Sequence, residues 1–560
     1  MPLSSDDGRL SLLGWNAGNG NEHHTFGASC CRVYSMSTAP LPRPAGLLRS
    51  TAVFSAMTLL SRLAGFARDM QQASLFGVSA AMDAFVIAYR IPNYLRRIFA
   101  EGSFASAFVP VFNEIKERGD HAALKDFLDH VAGALCVIVL LVTGFGMLLA
   151  PWVVTLMAPG TLDEPEKHAL TAEMLRIVFP YLLFISMTAL AGAVLNSFRQ
   201  FALPAVTPVL HNVMVIAAML WLAPYFSVPP KALAWGVLAA GLVQLVLLWP
   251  AMGRLGLTPR LRLNFKHAGV RRVFTLMLPT LFSSSVAQLN LIVGTVFASL
   301  LATGSQTWLY LSDRLIEFPL GLFGVALGTV ILPHLSSRFA AVDDEGYSSA
   351  LDWALRTVLL VALPAALGLL LLAEPLTATI YQHGRFTSFD TDMAALSLAA
   401  MSIGVPGFML SRVLLSAFYA RQDTRTPMRA AIVTVLSNVS LMAIIVTPLW
   451  LHKVSGAHAG IALATGLAGL INPWLLWRAL RRQGIYRASA GWGWHLSRLL
   501  LACAAMAAVL LWLASGVGVW GELHGLARWG MVLLTVVAGA ATYGIALLVL
   551  GWRPSELRHR

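Results

Sequence analysis

The sequence predicts an all-α, polytopic membrane protein with about fourteen transmembrane helices. Of its 560 residues, 57% are hydrophobic and only 12% are charged, and the mean hydropathy is +0.70. A soluble protein carries roughly a quarter charged residues, because charged side chains cover its surface. Apolar stretches of about 18 residues or more, long enough to cross the hydrocarbon core of a bilayer, recur along the chain. These two observations exclude an ordinary soluble enzyme.

The predicted elements begin after a polar N-terminal segment. Residues 1–45 contain no long apolar run, and they lack the continuous apolar core of a secretory signal. We therefore expect a disordered extension, with Met36 as an alternative start. Fourteen spans follow, with centres near Leu59, Ile87, Val139, Leu183, Val215, Leu238, Ile292, Val325, Leu363, Ile403, Val435, Leu467, Ala507 and Val537.

An internal similarity groups these spans into two blocks of six. The segment from Arg90 to Pro110 resembles the segment from Arg314 to Pro333, and each begins in the second span of its block. Because six spans return the chain to the same side, the blocks form a parallel repeat. We expect an N-lobe at residues 46–255, a C-lobe at residues 256–485, and two further spans with a cytoplasmic tail at residues 486–560. Chance similarity among apolar helices is the alternative.

The distribution of basic residues predicts the orientation. The even-numbered connections and the C-terminus hold 22 Lys or Arg residues, and the odd-numbered connections hold six. Since Lys and Arg accumulate in cytoplasmic loops, both termini are expected in the cytoplasm. The net charge of +13 lies in this membrane portion, because residues 1–45 hold three basic and three acidic residues. No separate basic domain remains to bind nucleic acid.

Ionisable residues are concentrated in spans 1, 2 and 8. A charge at mid-membrane costs about 2.5–3.5 kcal/mol on insertion scales, so it usually faces a cavity or a partner. Six arginines lie in these spans: Arg62, Arg68, Arg90, Arg96, Arg97 and Arg314. Seven residues are expected to support the cavity or to couple an ion: Ser61, Asp69, Asp83, Arg90, Arg97, Asp313 and Glu317.

Helical spacing and side-chain chemistry favour an anion site. Positions seven apart share one helix face, which places Arg62 beside Asp69 and aligns Asp83, Arg90 and Arg97. The guanidinium group is planar, permanently charged and bidentate, which suits phosphate oxygens. The sequence therefore predicts an arginine-lined cavity for a diphosphate or another fixed anion.

Each of these charges also has a simpler interpretation. Three arginines at helix ends would instead reach the lipid headgroups: Arg68, Arg96 and Arg97. Arg314 and Glu317 would form an intrahelical pair, and Asp83 would cap span 2. Arg412 in span 10 is a further cavity candidate.

Energy-coupling and catalytic motifs are absent from the sequence. It contains no G-x-x-x-x-G-K-[ST] loop, no H-E-x-x-H motif and no nucleophile elbow. The four cysteines and the scattered histidines lack metal-ligand spacing, so neither a metal nor a cofactor is predicted. Transport would draw on an ion gradient, the membrane potential or the substrate gradient. Asp69, Asp313 and Glu317 are the acidic candidates for ion coupling.

The charged motifs resemble those of the MurJ (MviN) family over about residues 46–552. They are Ser61-Arg62…Gly65-Phe66-Ala67-Arg68-Asp69, Met82-Asp83-Ala84-Phe85, Pro92-Asn93…Leu95-Arg96-Arg97-Ile98-Phe99-Ala100-Glu101-Gly102 and Asp313-Arg314-Leu315…Glu317-Phe318-Pro319. The long N-terminal extension departs from the family pattern.

This resemblance implies a lipid II flippase of the multidrug/oligosaccharidyl-lipid/polysaccharide exporter superfamily, which is a transporter and not an enzyme. It implies two six-helix lobes around a cationic cavity, two extra C-terminal helices, and a place in the bacterial inner membrane. The substrate would be an undecaprenyl-diphosphate-linked disaccharide-pentapeptide, moved to the periplasmic leaflet by alternating access. The resemblance also implies that four arginines would bind its diphosphate: Arg62, Arg68, Arg96 and Arg314. Membrane lipids and the cell-wall synthesis machinery are the expected partners.

Three other functions stay open at this point. A drug or cation exporter of the same superfamily would need acids and aromatic residues, so the arginines argue against it. A flippase for another polyprenyl-linked glycan would bind the same diphosphate, and charge does not separate the two. A membrane scaffold that transports nothing would not need buried arginines.

Overall fold

The computed structural model describes residues 44–97, 104–321, 325–517, 520, 523 and 525–557. The predicted extension at residues 1–45 therefore lies almost entirely outside the described residues. In the described ranges every regular element is a helix, and the all-α prediction is confirmed.

The α-helices in these ranges are α1 (Pro44–Phe76), α2 (Ala80–Arg96), α3 (Phe104–Glu117), α4 (His121–Leu148), α5 (Ala150–Met157), α6 (Pro165–Val178), α7 (Tyr181–Ser197), α8 (Ala202–Trp221), α9 (Lys231–Arg254), α10 (Ala268–Ser299), α11 (Ser305–Pro319), α12 (Val325–Ala340), α13 (Asp344–Leu371), α14 (Ala373–Tyr381), α15 (Ser388–Ser402), α16 (Val405–Ala420), α17 (Arg425–Leu451), α18 (His458–Arg482), α19 (Trp492–Val517) and α20 (Gly525–Val549).

Local sequence signals start several of these helices. Asp120 precedes α4 and accepts hydrogen bonds from the backbone N–H groups of the first turn. Ser79 caps α2 in the same way, through the N–H of Met82 at 3.2 Å. At α15, Thr387 and Asp390 form a reciprocal capping box. These caps satisfy backbone donors that a helix leaves without an internal partner.

Most of the predicted spans correspond to long apolar helices. Among the described residues, nine stretches are long and apolar enough to cross a membrane: α4, the stretch α6–α7, α8, α9, α13, α17, α18, α19 and α20. The bent pair α15–α16 makes a tenth if it counts as one span. The other four predicted spans fall on α1, α2–α3, α10 and α11–α12. Three of these helices, α1, α2 and α11, carry the charged candidates.

The structure divides three spans that the sequence presents as continuous. Span 2 comprises α2 and α3, and span 8 comprises α11 and α12, so its predicted centre, Val325, is the first residue of α12. Span 10 bends by 43° between α15 and α16, where its predicted centre, Ile403, lies. Pro92 lies inside α2 and Pro319 ends α11. A proline removes a backbone hydrogen bond, which weakens a continuous helix at these places.

The order of helix lengths recurs along the chain. Helices α1 and α10 have 33 and 32 residues, and two shorter helices follow each of them. Helices α4 and α13 both have 28 residues, and short helices of 8 and 9 residues come next. The series α1–α9 and α10–α18 thus have the same order of long and short helices, and α19 and α20 belong to neither series.

The last two helices pack against α13 and α14. Buried side chains of α19 and α20, among them Met506 and Tyr543, form one hydrophobic cluster with the α13 side. The Tyr543 hydroxyl donates to the Leu360 carbonyl at 2.8 Å. Arg528, which is buried in α20, donates to the Ala378 carbonyl of α14 at 2.7 Å. The C-terminal pair is therefore held by both apolar packing and hydrogen bonds.

Candidate functional site

A large cavity with several charged lining residues lies among the helices that carry the charged candidates. Its volume is about 1190 Å³, and its lining comes from α1, α2, α3, α7, α8, α9, α11 and α16. This exceeds the roughly 300–1,000 Å³ of ordinary small-molecule pockets. Its charged lining residues are Arg62, Arg68, Arg96, Arg314, Arg412, Asp69 and Glu317. Because arginines outnumber carboxylates, the cavity favours an anionic ligand.

The four arginines predicted to bind a diphosphate all line this cavity. Ser61, Asp69 and Glu317 from the supporting set line it as well. Arg62 and Asp69 thus share the cavity face of α1, as their spacing predicts. The structure brings α1, α2 and α11 together here, although they are far apart in the sequence.

Arg68 is held by a network that joins α1, α8 and α11. Its guanidinium donates to Asp69 Oδ1 at 2.7 and 3.0 Å, to Asn212 Oδ1 at 3.0 Å and to the Tyr310 hydroxyl at 3.2 Å. The Asn212 amide in turn donates to the carbonyl of Ser61 at 3.1 Å. Arg68 is only 8% exposed, so it does not reach toward lipid headgroups. The network orients this cation at the cavity wall.

Arg314 occupies the adjoining position on α11. Its Nη1 donates to Glu317 Oε2 at 2.7 Å, so the intrahelical pair considered above is present. Its Nε also lies 3.9 Å from Asp69 Oδ2, and its guanidinium packs 4.8 Å from the Tyr310 ring centroid. That Nε is buried and has no hydrogen-bond partner among the described residues. The Arg314 side chain as a whole is 27% exposed where it lines the cavity, although this Nε is not.

Arg62 and Arg412 lie in the cavity without a counterion. Among the described residues, neither guanidinium makes an ion pair or a side-chain hydrogen bond, and both side chains are exposed to the cavity. The Arg62 guanidinium packs against Gly321, where an added Cβ would lie 2.0 Å from its Nη1. A larger residue at Gly321 would require the Arg62 guanidinium to move from this position.

Arg96 ends α2 at the same cavity. Its Nε and Nη2 donate to Asn93 Oδ1 at 3.1 and 2.9 Å, one turn earlier. Arg97, the next residue, is half-buried and does not belong to the cavity lining. Adjacent arginines point in different directions because successive residues of a helix are about 100° apart.

Asp83 lies outside the cavity, at an end of α2 that contacts α11. Its Oδ2 accepts from the Gly304 N–H at 2.7 Å, and its Oδ1 accepts from the Thr307 N–H at 3.0 Å and hydroxyl at 2.6 Å. Lys167 Nζ lies 3.6 Å from Oδ2. Ser79, not Asp83, caps α2, so the capping alternative was wrong for α2. Asp83 instead caps α11.

Arg90 and Asp313 pair at a second contact between α2 and α11. Their Nη2 and Oδ2 atoms are 3.9 Å apart, and Arg90 also donates to Gln306 Oε1 at 2.8 Å and Thr295 Oγ1 at 3.3 Å. Neither Arg90 nor Asp313 lines the cavity. The spacing of Asp83 and Arg90 correctly placed them on one face of α2, but that face packs against α10 and α11.

Further contacts close the same end of the molecule as Asp83, which we call the closed end (residues 74–83, 158–167, 299–307 and 382–387). The Arg385 N–H donates to the Ser74 carbonyl at 2.8 Å. The Gly160 N–H donates to Ser299 Oγ at 3.2 Å. The cavity extends in the other direction, where Asn113, Asn196 and Ser197 line it.

Sequence reasoning missed the neutral partners that position the arginines. Tyr310 and Asn212 were not predicted, since an apolar span containing one Tyr or Asn gives no signal of its own. His211 and Gln244 also line the cavity. The position of Tyr310, four residues before Arg314 on one helix face, was the one available hint.

Comparisons with known proteins identify the family of this chain. The family model described as lipid II flippase MurJ matches residues 72–525. A probable lipid II flippase MurJ from Vibrio cholerae is 40% identical over 520 residues, which cover 91% of this chain and 98% of the relative. A lipid II flippase MurJ from Burkholderia cenocepacia is 40% identical over 523 residues, covering 92% and 99%.

Solved structures with a similar fold include a member of the same family. A lipid II flippase MurJ in an inward closed conformation is 26% identical, with a TM-score of 0.74, and the match covers 89% of this chain and 98% of that one. An inward-facing multidrug resistance transporter of the MATE family has a TM-score of 0.60 at 12% identity, over 78% of this chain and 98% of the other. The second likeness concerns the fold alone.

Proposed function

The chain belongs to the MurJ family of lipid II flippases, and on that basis we propose that it moves lipid II across the bacterial inner membrane by alternating access. The observation that carries this proposal is the cavity lined by five arginines and two carboxylates. Members of this family transport a lipid and catalyse no reaction. The diphosphate that joins the lipid tail to the sugar headgroup carries the fixed negative charge that such a cavity would bind.

The cavity arginines would contribute to diphosphate binding in different ways. Arg62 and Arg412 have no counterion among the described residues, so they would bind phosphate oxygens without first breaking an ion pair. Arg314 would contribute the exposed part of its guanidinium, because its side chain is 27% exposed at the cavity. Arg68 would mainly contribute positive charge near the phosphate, because its guanidinium donors are already bonded to Asp69 and Asn212. Bidentate arginine–phosphate pairs are strong where water is largely excluded.

The proposed orientation makes this state open to the cytoplasm. The closed end consists of odd-numbered connections, which the basic-residue distribution assigns to the periplasm. Asn113, Asn196 and Ser197 lie toward the even-numbered connections, where the headgroup would enter. With an even number of spans, both termini would be cytoplasmic.

The two lobes would move relative to each other during transport. Their division at residues 46–255 and 256–485 is supported by the recurring order of helix lengths in α1–α9 and α10–α18. The contacts of Asp83 and Arg90 with α11 would separate as the periplasmic side opens. The lipid tail would stay in the bilayer along α19 and α20, whose outward faces are rich in exposed leucines.

Ion coupling would have to act through carboxylates that are already paired. Asp69 binds Arg68, Asp313 faces Arg90, and Glu317 binds Arg314. A coupling cation would therefore compete with an arginine, which would release that arginine or its bound phosphate. Cell-wall synthesis enzymes stay a predicted partner class.

The test compares cavity arginines with a matched arginine elsewhere. Arg62→Ala and Arg314→Ala should abolish growth when the chain replaces a depleted flippase, and lipid II should stay in the cytoplasmic leaflet. Arg176→Ala is the control, since this exposed side chain contacts the Met147 carbonyl outside the cavity. Membrane levels of all variants are measured by immunoblot. Normal growth and normal lipid II exposure with both cavity variants would refute the docking proposal.

A further inference from the structure

We propose that Asp126, His130 and His267 form a binding site for a divalent transition metal, with zinc as the best fit. The three residues lie where the connection between α9 and α10 crosses the first turns of α4. This site is separate from the cavity and independent of the proposed transport function. One ligand atom from each residue lies within 4.8 Å of the others.

The distances suit a tetrahedral ion. Asp126 Oδ2 lies 3.5 Å from His130 Nδ1 and 3.4 Å from His267 Nε2. Ligands about 2.0–2.1 Å from a tetrahedral zinc ion are separated from each other by roughly 3.3 Å. Asp126 Oδ2 is therefore spaced from both nitrogens much as it would be around a bound ion. His130 Nδ1 also lies 2.8 Å from the Asp126 carbonyl oxygen, and an ion bound at Nδ1 would replace that hydrogen bond.

Two of the ligands lie on one helix, and the helix alone brings their side chains together. Asp126 and His130 are four residues apart on α4, so they share a face one turn apart. The third, His267, is the residue that precedes the first turn of α10. The sequence separates it from His130 by more than 130 positions, which is why spacing alone predicts no metal site.

The backbone of the connection is held against α4 independently of these side chains. The Arg260 N–H donates to Asp129 Oδ1 at 2.8 Å, and the Arg262 N–H donates to the Asp129 carbonyl at 3.3 Å. A Cβ on Gly133 would lie 2.2 Å from the Arg262 carbonyl oxygen, so the close approach requires glycine. This scaffold brings His267 to Asp126 and His130.

The two imidazole rings lie close enough to bind one ion, but one of them must rotate before both nitrogens can point at it. Their rings stack with centroids 4.6 Å apart and planes 6° from parallel, so their nitrogen lone pairs lie in two nearly parallel planes. Binding would turn one ring out of the stack. His267 Nδ1 is buried without a hydrogen-bond partner among the described residues, so the ring gives up no hydrogen bond at that atom when it turns.

The donor set selects the class of metal. Two imidazoles and one carboxylate suit zinc, cobalt or nickel, whereas magnesium and calcium prefer oxygen ligands alone. Three protein ligands leave a fourth position for water. All three residues are partly accessible, with side-chain exposures of 45% for Asp126, 14% for His130 and 25% for His267, so an ion can enter from solvent.

One protein cation competes for the site. Arg262 Nη1 lies 3.4 Å from Asp126 Oδ1, on the carboxylate oxygen that does not face the imidazoles. A bound ion would share the carboxylate with this arginine or displace it. Such an ion would tie the α9–α10 connection to α4, at the junction between the two proposed lobes.

The first test measures binding of zinc chloride to the purified full chain in detergent, by calorimetry and by competition with a chromogenic chelator. His130→Ala and His267→Ala should each weaken the tightest site by at least about tenfold, since a ligand is lost. His121→Ala is the matched control, because this histidine lies on the same helix and contacts the Leu255 carbonyl instead. Equal affinity in all four proteins, or no saturable site in the unaltered chain, would overturn the proposal.

A second measurement keeps the test independent of folding defects. Zinc should slow amide hydrogen exchange at residues 258–267 in the unaltered chain and leave it unchanged in His267→Ala. Arg262→Gln should bind zinc more tightly, because the competing guanidinium is removed. Zinc-independent exchange at residues 258–267 in the unaltered chain would contradict the site even if some zinc binds elsewhere.

Discussion

Replacing Asp83 with asparagine should weaken the closed end and let α2 and α11 separate more often. The carboxylate is 1% exposed and accepts three hydrogen bonds of 2.6–3.0 Å from Gly304 and Thr307. Asparagine has nearly the same volume, so the change removes charge and one acceptor without opening a cavity. Its amide nitrogen would face a backbone N–H, leaving one buried donor without a partner.

The magnitude follows from these contacts. An unsatisfied buried donor costs about 1–3 kcal/mol, and loss of charge weakens the two remaining bonds. Lys167 would also lose its buried counterion, although Glu164 lies 3.4 Å from it. A total near 3 kcal/mol corresponds to about a 100-fold larger population of molecules with this end open.

The assay is the labelling rate of a buried thiol. Ser305 is 1% exposed beside the Asp83 contact, and Ser305→Cys is introduced into a chain whose four native cysteines are replaced. When closing is faster than labelling, the rate is proportional to the open population. Asp83→Asn should raise the rate by up to about 100-fold, whereas Glu164→Gln, which alters an exposed neighbour of the same lysine, should change it little. Equal rates in all three proteins would refute the view that Asp83 holds this end together.

Two further changes test other contacts. Gly160→Ala should destabilise the closed end by about 1–3 kcal/mol, because its Cβ would lie 1.9 Å from the Ser299 carbonyl oxygen; a lower melting temperature in detergent would report this. Asp352→Ala should loosen the connection between α18 and α19 by about 3 kcal/mol, since Tyr486 and Trp492 each donate to this buried carboxylate at 2.6 Å. Faster proteolysis within residues 485–492 would report it.

Each of these two predictions has a matched control variant. Gly144→Ala adds a methyl group in a helix with no atom within 4 Å, so its melting temperature should not fall. Asp344→Ala removes an exposed carboxylate from the same helix as Asp352 and should leave proteolysis unchanged. If Gly160→Ala melts like Gly144→Ala, the close approach to Ser299 is not a constraint. If Asp352→Ala is cleaved no faster than Asp344→Ala, the connection is held by other contacts.

The sequence by itself determined the class of the protein and the place of its chemistry. Apolar stretches must be buried in a bilayer or a core, so composition alone identifies a polytopic helical membrane protein. Charge is costly in hydrocarbon, and its concentration in three spans therefore marks the helices that surround the cavity. That argument points equally to Arg90 and Arg97, which do not line the cavity, and the choice of Arg62, Arg68, Arg96 and Arg314 rested on the family resemblance.

Only the tertiary structure decided what each charged face meets. Helical periodicity places Asp83 and Arg90 on one face of α2, but it does not say whether that face borders a cavity or packs on another helix. The structure packs it on α10 and α11, where its charges join the two halves. Likewise, no spacing rule brings His267 to Asp126 and His130. Local sequence sets which side chains share a helix face, and the packing of distant helices sets what lies opposite.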